Sequence, residues 1–547
     1  MANQRILANV LRRSYPRQPS LAASSIRRLL LKRILNDPEI LLLTFIAGLG
    51  CLFYLIACGT DINHPPGLRL IRIGSLIVLT GLFFLEVYRP WSGLIAFIIF
   101  FPQMGALREL LAIYLSPIFG NLPGFWAAPA AAALLLAILW RRRHQNESAM
   151  DGAEPDRVCA SAAHWARRLL WVFVATWVVS LACCAPRLYS PPSGWIVLPA
   201  HFRLLIIQGP HSAIYPLLLT IQILPCAGIG IVLLRMAAQG VQLPVMRIVN
   251  ACLISGALIA VEVLVQTLFD LPWRYNYQHD PRGGPFENPN TTVVFLTVTT
   301  IMSVALYFRN TVKWRVVACG AFALALAATL ATASRNGIFI ILVLSIVAPL
   351  WNGNYRKSIL AAAVLCIAAT VLLVLPLPRE SDVSLLPARR LVGTLEAIRH
   401  RDWETLTTSR LELFAIALDI SCEFQYTGAG PGSFAMLGFL GAKYNHLTTD
   451  ALTAHSMPMN LLAEIGPFGA LAWLAVFIFL PLFIYWKGRG SRFLVLAALA
   501  VGLANLFDTV LLNPGAAVWL TTVFALGFCP EIAIPPSGTI GHQQAGH

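Results

Sequence analysis

The chain has 547 residues, of which 57% are hydrophobic and 12% are charged, and its mean hydropathy is +0.71. This composition excludes a soluble globular protein and indicates a polytopic membrane protein. The formal net charge of +15 would suggest nucleic acid in a soluble protein. In a membrane protein, however, basic residues mark the cytoplasmic ends of helices, and we therefore expect no nucleic-acid partner.

The chain divides into four regions along its length. Residues 1–38 form a basic polar segment that does not match a cleavable signal peptide. We expect a cytoplasmic tail there that contacts membrane lipids. Residues 39–245 contain N-terminal transmembrane helices, residues 246–530 contain a transmembrane core, and residues 531–547 form a second cytoplasmic tail.

Apolar segments long enough to cross a bilayer recur along the chain. The sequence therefore predicts an all-α fold, a polytopic transmembrane helix bundle of about 12–14 spans. The third and the last candidate segments are the shortest. The candidates are 39–58, 69–88, 91–104, 122–140, 168–186, 212–234, 246–269, 290–308, 314–333, 336–351, 357–377, 458–485, 491–511 and 514–529.

The distribution of Arg and Lys predicts the orientation of these spans. If the chain starts inside, the inner connections all carry Arg or Lys, whereas the outer ones are poorer in basic residues. The long 378–457 segment is an exception, but loops over about 60 residues are exempt from the rule. We therefore predict that both termini and the 141–168 connection are cytoplasmic and that the 378–457 loop lies outside.

The long outer loop contains local structure. The stretches "TLEAIRHRDWETL" and "SRLELFAIALDISCEF" have apolar residues at helical spacing, so we expect one or two short helices packed on the membrane surface. The stretch "TGAGPGSF" (427–434) predicts a glycine-rich turn.

Two arginines stand at the outer ends of predicted spans. Arg335 lies between two apolar segments, where it either snorkels to the interface or provides a fixed cation for an anionic ligand. A guanidinium suits phosphate because it donates two parallel hydrogen bonds and keeps its proton. Arg282 precedes a glycine pair and would by itself be an ordinary exposed arginine. Asn288 or Asn290 could cap the helix that follows.

His455 stands directly before a long apolar helix. A lone histidine near an interface is more often structural than catalytic, yet imidazole is well suited to accept a hydroxyl proton near neutral pH. Glu464 would lie about 14 Å deeper along a straight helix and could not orient His455 directly. A carboxylate within a span is nevertheless a functional candidate.

Several motifs are absent from the sequence. We find no Walker-type G-x-x-x-x-G-K-[ST] loop, no D-x-D pair and no G-x-S-x-G elbow. The cysteines show neither a C-x-x-C pair nor zinc-ligand spacing. We therefore expect no metal and no cofactor, and we expect arginine to bind any anionic substrate.

Four motifs follow one another along roughly residues 282–470. They are Arg282 followed by "FENPN", "SRNG", "SRLELFAIALDISCEFQYTGAGPGSF", and "AHSMPMNLLAEIGPFG". In this order they resemble the superfamily of O-antigen ligases and O-antigen polymerases, which are glycosyltransferases of the bacterial envelope. The earlier part of the chain matches only as apolar spans. In place of the asparagine that many members carry after the histidine, this chain has Ser456.

The resemblance implies a multi-pass protein of the bacterial inner membrane with a periplasmic active site. It implies that Arg282 and Arg335 hold the diphosphate of an undecaprenyl-diphosphate-linked glycan and that His455 activates an acceptor hydroxyl. Transfer would proceed with inversion, without a metal or a nucleotide. The acceptor would be lipid A-core or a growing polysaccharide. The residues expected to bind substrate are Arg410, Asn288, Asn290 and Glu464.

The sequence leaves several functions open. A ligase, a repeat-unit polymerase and a protein-directed oligosaccharyltransferase share these motifs, and the His-to-Glu segment slightly favours the ligase. The alternative from another class is a transporter or flippase for a lipid-linked sugar. Transporters often show inverted repeats and helices broken at mid-membrane. We see no such repeat in this sequence.

Overall fold

The computed structural model places most of the predicted spans. Apart from a few single or paired residues inside these ranges, it describes residues 37–59, 66–103, 122–144, 156–188, 215–269, 283–309, 312–337, 396–400, 410–437 and 453–529. The described residues form helices and turns and contain no strand, which confirms the predicted all-α class.

The helices follow the predicted apolar segments closely. The first half of the chain contains α1 (Pro38–Gly59), α2 (Pro66–Tyr88), α3 (Ser92–Phe100), α4 (Leu122–His144), α5 (Arg157–Leu188), α6 (Tyr215–Ala238) and α7 (Val245–Leu268). The second half contains α8 (Pro289–Arg309), α9 (Val312–Ala331), α10 (Arg410–Phe424), α11 (Met457–Leu474), α12 (Leu480–Trp486), α13 (Arg492–Leu506) and α14 (Pro514–Leu526). The predicted span 357–377 and all of the predicted span 336–351 except Gly337 lie outside the described residues.

Four of the described helical segments are long and apolar enough to cross a membrane. The fourth consists of α11 and α12 joined by a π-helical turn at Ala475–Phe479. Further apolar helices have 10–17 residues, so a multi-pass membrane bundle is confirmed, whereas the number of spans stays a prediction. The four segments are Arg157–Cys184, Leu219–Ala238, Val245–Leu268 and Met457–Trp486.

The start of α5 differs from the sequence prediction. The sequence placed residues 141–168 in a connection, but α5 already begins at Arg157. The Asp156 carboxylate accepts a hydrogen bond from the N–H of Val158 (2.9 Å), which stabilises the first turn. The segment is too polar to register as a span, yet one face is buried through small side chains at helical spacing: Cys159, Ala162, Ala163 and Ala166.

The bundle core forms around α6 and α14. These two helices pack against each other, α6 also packs on α4 and α5, and α8 packs on α9 and α13. Trp177 on α5 and Trp519 on α14 are fully buried. Trp519 lies 4.4 Å from the ring of Phe295 on α8, so α8 and α14 belong to the same core.

Charged side chains join three helices at one end of the bundle. Arg235 on α6 donates hydrogen bonds to Asp37 (2.6 and 3.3 Å) and to Glu39 (2.7 Å) at the start of α1. Glu39 also lies 3.6 Å from Arg167 and accepts a hydrogen bond from the Trp171 indole (2.8 Å). We call these charged residues (Asp37, Glu39, Arg167 and Arg235) the Arg235 cluster.

A buried ion pair connects α2 to α4. Glu86 at the end of α2 pairs with Arg141 near the end of α4, and the guanidinium lies 4.5 Å from the ring centre of Trp91. Glu86 also accepts the backbone N–H groups of Trp91 (3.0 Å) and Leu94 (3.1 Å), which begin α3. The carboxylate therefore satisfies the first turn of α3 as well as the arginine.

Candidate active site

The helix that follows His455 is broken near its middle. Gly466 has a φ of +81° and Pro467 follows it, so the helical hydrogen-bond ladder is interrupted there. Proline has no N–H to donate, and the carbonyls of Ala463 and Glu464 lose their partners within the helix. These two carbonyls must therefore be satisfied from another segment.

The glycine-rich turn at residues 427–434 supplies the missing donors. Its backbone N–H groups at Ala429 and Gly430 donate to the carbonyls of Ala463 (2.9 Å) and Glu464 (2.8 Å). The hydroxyl of Ser180 on α5 donates to the Glu464 carbonyl as well (2.6 Å). The "G-x-G-P-G-x-F" motif is thus a clamp on the broken helix.

Two glycines permit this close approach of backbones. Gly428 has a φ of +67°, and a Cβ placed there would overlap the backbone of Glu464. A Cβ at Gly466 would overlap the carbonyl of Tyr426. Side chains at these positions would separate the turn from α11, and positive φ values disfavour any residue but glycine.

The Glu464 side chain lies inside this clamp. It is 1% exposed, and one carboxylate oxygen accepts the backbone N–H of Phe434 (3.3 Å). The other oxygen has no hydrogen-bond partner among the described residues. The structure therefore places Glu464 against the glycine-rich turn and away from solvent, and its predicted contact with substrate is not tested.

The segment that carries His455 is held from two sides. The Asn460 side-chain oxygen accepts the N–H of Ala454 (3.1 Å). The Thr453 hydroxyl oxygen accepts the N–H of His455 (3.4 Å) and lies 3.2 Å from the hydroxyl of Thr509. These contacts connect the start of α11 to the turn between α13 and α14.

His455 faces a buried carboxylate across this connection. Its Nδ1 atom lies 3.7 Å from Oδ1 of Asp508, slightly beyond hydrogen-bond distance. Asp508 is 3% exposed, whereas the imidazole is 41% exposed. His455 also has a φ of +49°, a costly conformation for a non-glycine residue that surrounding contacts must hold. The geometry therefore buries Nδ1 and leaves part of the ring open.

Arg410 and His455 act on the same carboxylate. Burial acts to raise the pKa of Asp508, but His455, the Thr509 N–H and the charge of Arg410 together hold that pKa below its usual value. Arg410 begins α10, and α10 packs on α11 through a separate apolar cluster that includes Ile416, Phe434 and Ala463. Asp508 therefore stays ionised near neutral pH.

Two further motifs meet at the same end of the bundle. The Ser334 hydroxyl donates to the side-chain oxygen of Asn290 (2.6 Å), which joins "SRNG" to "FENPN". Gly337 packs so tightly on α8 that a Cβ there would overlap Val293. The two motifs are therefore held together by the Ser334–Asn290 hydrogen bond and by the close packing of Gly337 on Val293.

Three predicted site residues lie outside the described residues: Arg282, Arg335 and Asn288. The predicted convergence of the two arginines on one diphosphate stays a prediction. Among the residues that the structure describes, no three His, Cys, Asp or Glu side chains lie together as candidate metal ligands.

The comparisons with known proteins agree with this geometry. Residues 320–474 match the family model described as O-antigen ligase. This match covers part of the chain and supports the resemblance to O-antigen ligases seen in the sequence. The matched domain contains His455 and Glu464 and indicates a glycan-transferring membrane enzyme. Searches of curated proteins and of solved structures found no match.

Asp508 was missed in the sequence because it was assigned to the predicted span 491–511. The structure ends α13 at Leu506 and places Asp508 in a turn. An acidic residue within an apolar segment is itself a signal of function. The same rule that singled out Glu464 would have found Asp508, which lies beyond the matched domain.

Proposed function

We propose that this protein is an inner-membrane glycosyltransferase of the O-antigen ligase family that moves a glycan from an undecaprenyl-diphosphate carrier to an acceptor hydroxyl. The observation that carries the proposal is the pairing of His455 with Asp508. A half-open imidazole whose Nδ1 faces a buried carboxylate is the arrangement of a general base. His455 lies in the segment that the family match covers, and Asp508 lies beyond it.

In the proposed reaction His455 accepts a proton from the acceptor hydroxyl. The carboxylate of Asp508 favours the ring tautomer with a proton on Nδ1, which leaves Nε2 as the basic atom. The acceptor oxygen attacks the anomeric carbon as its O–H bond breaks. The bond from that carbon to the carrier diphosphate breaks, the diphosphate leaves with the electron pair, and the configuration inverts.

Arg282 and Arg335 are the proposed binding groups for the diphosphate. Negative charge grows on the leaving diphosphate, and fixed guanidinium groups stabilise it best where water is excluded. The Asn290–Ser334 hydrogen bond supports this assignment, because Ser334 directly precedes Arg335 in the sequence and Asn290 belongs to the motif that follows Arg282. This assignment requires no metal or nucleotide.

The length of the helical segment Met457–Trp486 supports a site above the membrane. Trp486 is 68% exposed at its far end and Lys487 lies 4.9 Å from the Trp486 ring, a pairing typical of a membrane interface. A hydrocarbon core of about 30 Å corresponds to about 20 helical residues, which places the opposite interface near Gly466. There Tyr426 and Phe468 form an exposed aromatic pair.

His455 therefore lies on the water side of that aromatic pair. The distribution of Arg and Lys makes this the periplasmic side, since the Arg235 end carries the basic connections. Reporter fusions test the orientation. A reporter that is active only in the periplasm should be active after Arg410 and silent after Asn146; the reverse pattern would mean an inverted topology.

The proposal is tested with purified protein in detergent. A polyprenyl-diphosphate glycan is supplied as donor, with lipid A-core in one reaction and a growing polysaccharide in another. Transfer without added metal or nucleotide is expected, and the preferred acceptor distinguishes ligase from polymerase. A transporter would show no transfer, because transport requires a sealed membrane and leaves the donor unchanged.

A further inference from the structure

A polar pair on α7 has no part in the proposed reaction. Gln266 is 2% exposed, and its amide nitrogen donates to the carboxylate of Glu262 (3.5 Å), one helical turn earlier. Its amide oxygen accepts the backbone N–H of Gly284 (3.1 Å). Both side chains lie in a candidate membrane span, where burying a polar group costs free energy and such groups are usually functional.

The turn at Gly283 and Gly284 is fixed from both sides by this arrangement. The hydroxyl of Thr292 on α8 donates to the Gly283 carbonyl. Gly284 has a φ of +56°, and a Cβ there would lie 3.0 Å from Val263 on α7. The turn is therefore wedged between two helices and held by one hydrogen bond from each.

Glu262 sets the direction of the Gln266 amide. A primary amide has one donor end and one acceptor end, and the Glu262 Oε1 atom is an acceptor for the donor end. The carboxylate therefore selects the Nε2 end of Gln266 and turns Oε1 toward the N–H of Gly284. If the amide were reversed, its nitrogen would face the N–H of Gly284 and its oxygen would face Oε1 of Glu262. Neither of the two hydrogen bonds could then form.

We propose that Gln266 and Glu262 are positioning residues for donor binding. Gly283 directly follows Arg282 in the sequence, and the inference rests on the proposed function in taking Arg282 as a ligand of the donor diphosphate. Gln266 fixes the backbone at Gly284, two positions after Arg282 in the sequence. Neither residue touches the reacting atoms; their effect is on affinity for the polyprenyl-diphosphate donor.

The test compares two isosteric changes at adjacent positions. Gln266→Leu removes both hydrogen bonds and leaves the Gly284 N–H unpaired. It should raise KM for the donor about tenfold, which corresponds to about 1.4 kcal/mol. The kcat should stay within about twofold. Thr267→Val is the control, because the Thr267 hydroxyl bonds only the Val263 carbonyl of its own helix (2.8 Å) among described residues.

A reciprocal exchange separates positioning from general stability. Gln266→Glu alone places two carboxyl groups opposite each other and should also raise the donor KM. Adding Glu262→Gln restores a donor–acceptor pair and leaves a carboxylate oxygen for the Gly284 N–H, so the double variant should recover the lower KM. Failure of the double variant to recover, with its thermal unfolding unchanged, would overturn the inference.

Direct binding of undecaprenyl diphosphate, which needs no transfer, separates the inference from the proposed function. A dissociation constant raised in Gln266→Leu and unchanged in Thr267→Val supports the inference even if no acceptor is glycosylated. An unchanged constant in Gln266→Leu, together with weakened binding in Arg282→Ala, overturns the inference and leaves the proposed function standing. Absence of binding to the unmodified protein overturns both.

Discussion

The two ends of the helix bundle differ in how their charged and polar side chains are paired and exposed. At one end, the Arg235 guanidinium makes three hydrogen bonds to two carboxylates, and Arg141 pairs with a fully buried Glu86. At the other end, His455 keeps 41% of its side chain exposed, although its Nδ1 faces Asp508. In the first arrangement each charged side chain is paired with an opposite charge of the protein, whereas the second leaves a polar group available to a ligand.

The helix α5 runs from one end of the bundle to the other and shows how far apart the two ends lie. Arg167 belongs to the Arg235 cluster, and Ser180 on the same helix binds the clamp around Glu464 (2.6 Å). Thirteen residues of helix between them correspond to about 20 Å. Charge pairs that hold helices together and groups proposed for chemistry are therefore kept at different faces, and mutations at the two ends should affect different properties.

The largest effect is expected for His455→Ala. Removing a general base costs about 10²- to 10⁴-fold in rate, so transfer should fall by this factor, while donor binding is unchanged because the proposed diphosphate ligands are arginines. The measurement is transfer in detergent together with donor binding. His400→Ala is the control, since His400 is exposed in the same loop. Near-full transfer by His455→Ala would mean that another group is the base.

A smaller loss is expected for Asp508→Asn. The amide keeps the shape but removes the charge that stabilises the imidazolium, so transfer should fall about 10²-fold, at the low end of the range for removal of the base. Because the pKa of Asp508 is already below its usual value, the carboxylate is charged at pH 6 and at pH 8. The deficit should therefore be similar at both values; a deficit confined to one of them would contradict this.

Asp508→Asn should also change how the stability of the protein depends on pH. A carboxyl group with a lowered folded-state pKa stabilises the protein fully above its unfolded pKa of about 3.9, and this contribution is lost as pH falls through the folded value. Asp508→Asn should therefore lower the midpoint of thermal unfolding at pH 7, and the difference from the unmodified protein should shrink at pH 3. A difference that grows at pH 3 would contradict the assigned direction.

An effect on stability is expected for Gly466→Ala. The positive φ and the overlap with the Tyr426 carbonyl should cost roughly 1–3 kcal/mol and release the glycine-rich turn. Thermal unfolding measures the loss, and transfer should decline with it because the clamp supports the His455 segment. Gly320→Ala on α9 is the matched control, since no other atom lies within 4 Å of a Cβ there. Equal behaviour of the two variants would argue against the clamp.

The smallest effect on transfer is expected at the Arg235 end. Arg235→Gln breaks the hydrogen bonds to Asp37 and Glu39 and should destabilise the protein by about 1.5–3 kcal/mol, the range for hydrogen bonds to charged groups. Transfer per folded molecule should stay unchanged. A folded Arg235→Gln protein with reduced transfer would show that the two ends are coupled, and the contrast between them would no longer hold.

Local sequence determined the helices and the resemblance to a family. Apolar segments of spanning length gave helix positions within a few residues for most described spans, because length and hydropathy act within each segment. The order of four motifs was enough to indicate the O-antigen ligase family. The early start of α5 was missed because an amphipathic first turn carries too many polar residues for a span.

Only the tertiary structure decided which residues meet. His455 and Asp508 are 53 positions apart in the sequence, and nothing in either local pattern indicates their 3.7 Å approach. The glycine-rich motif alone predicted a turn, whereas the break at Gly466 made it a clamp, because freed carbonyls in a buried helix must find donors elsewhere. Periodicity and composition describe each segment separately, and a site assembled from several segments depends on how they pack.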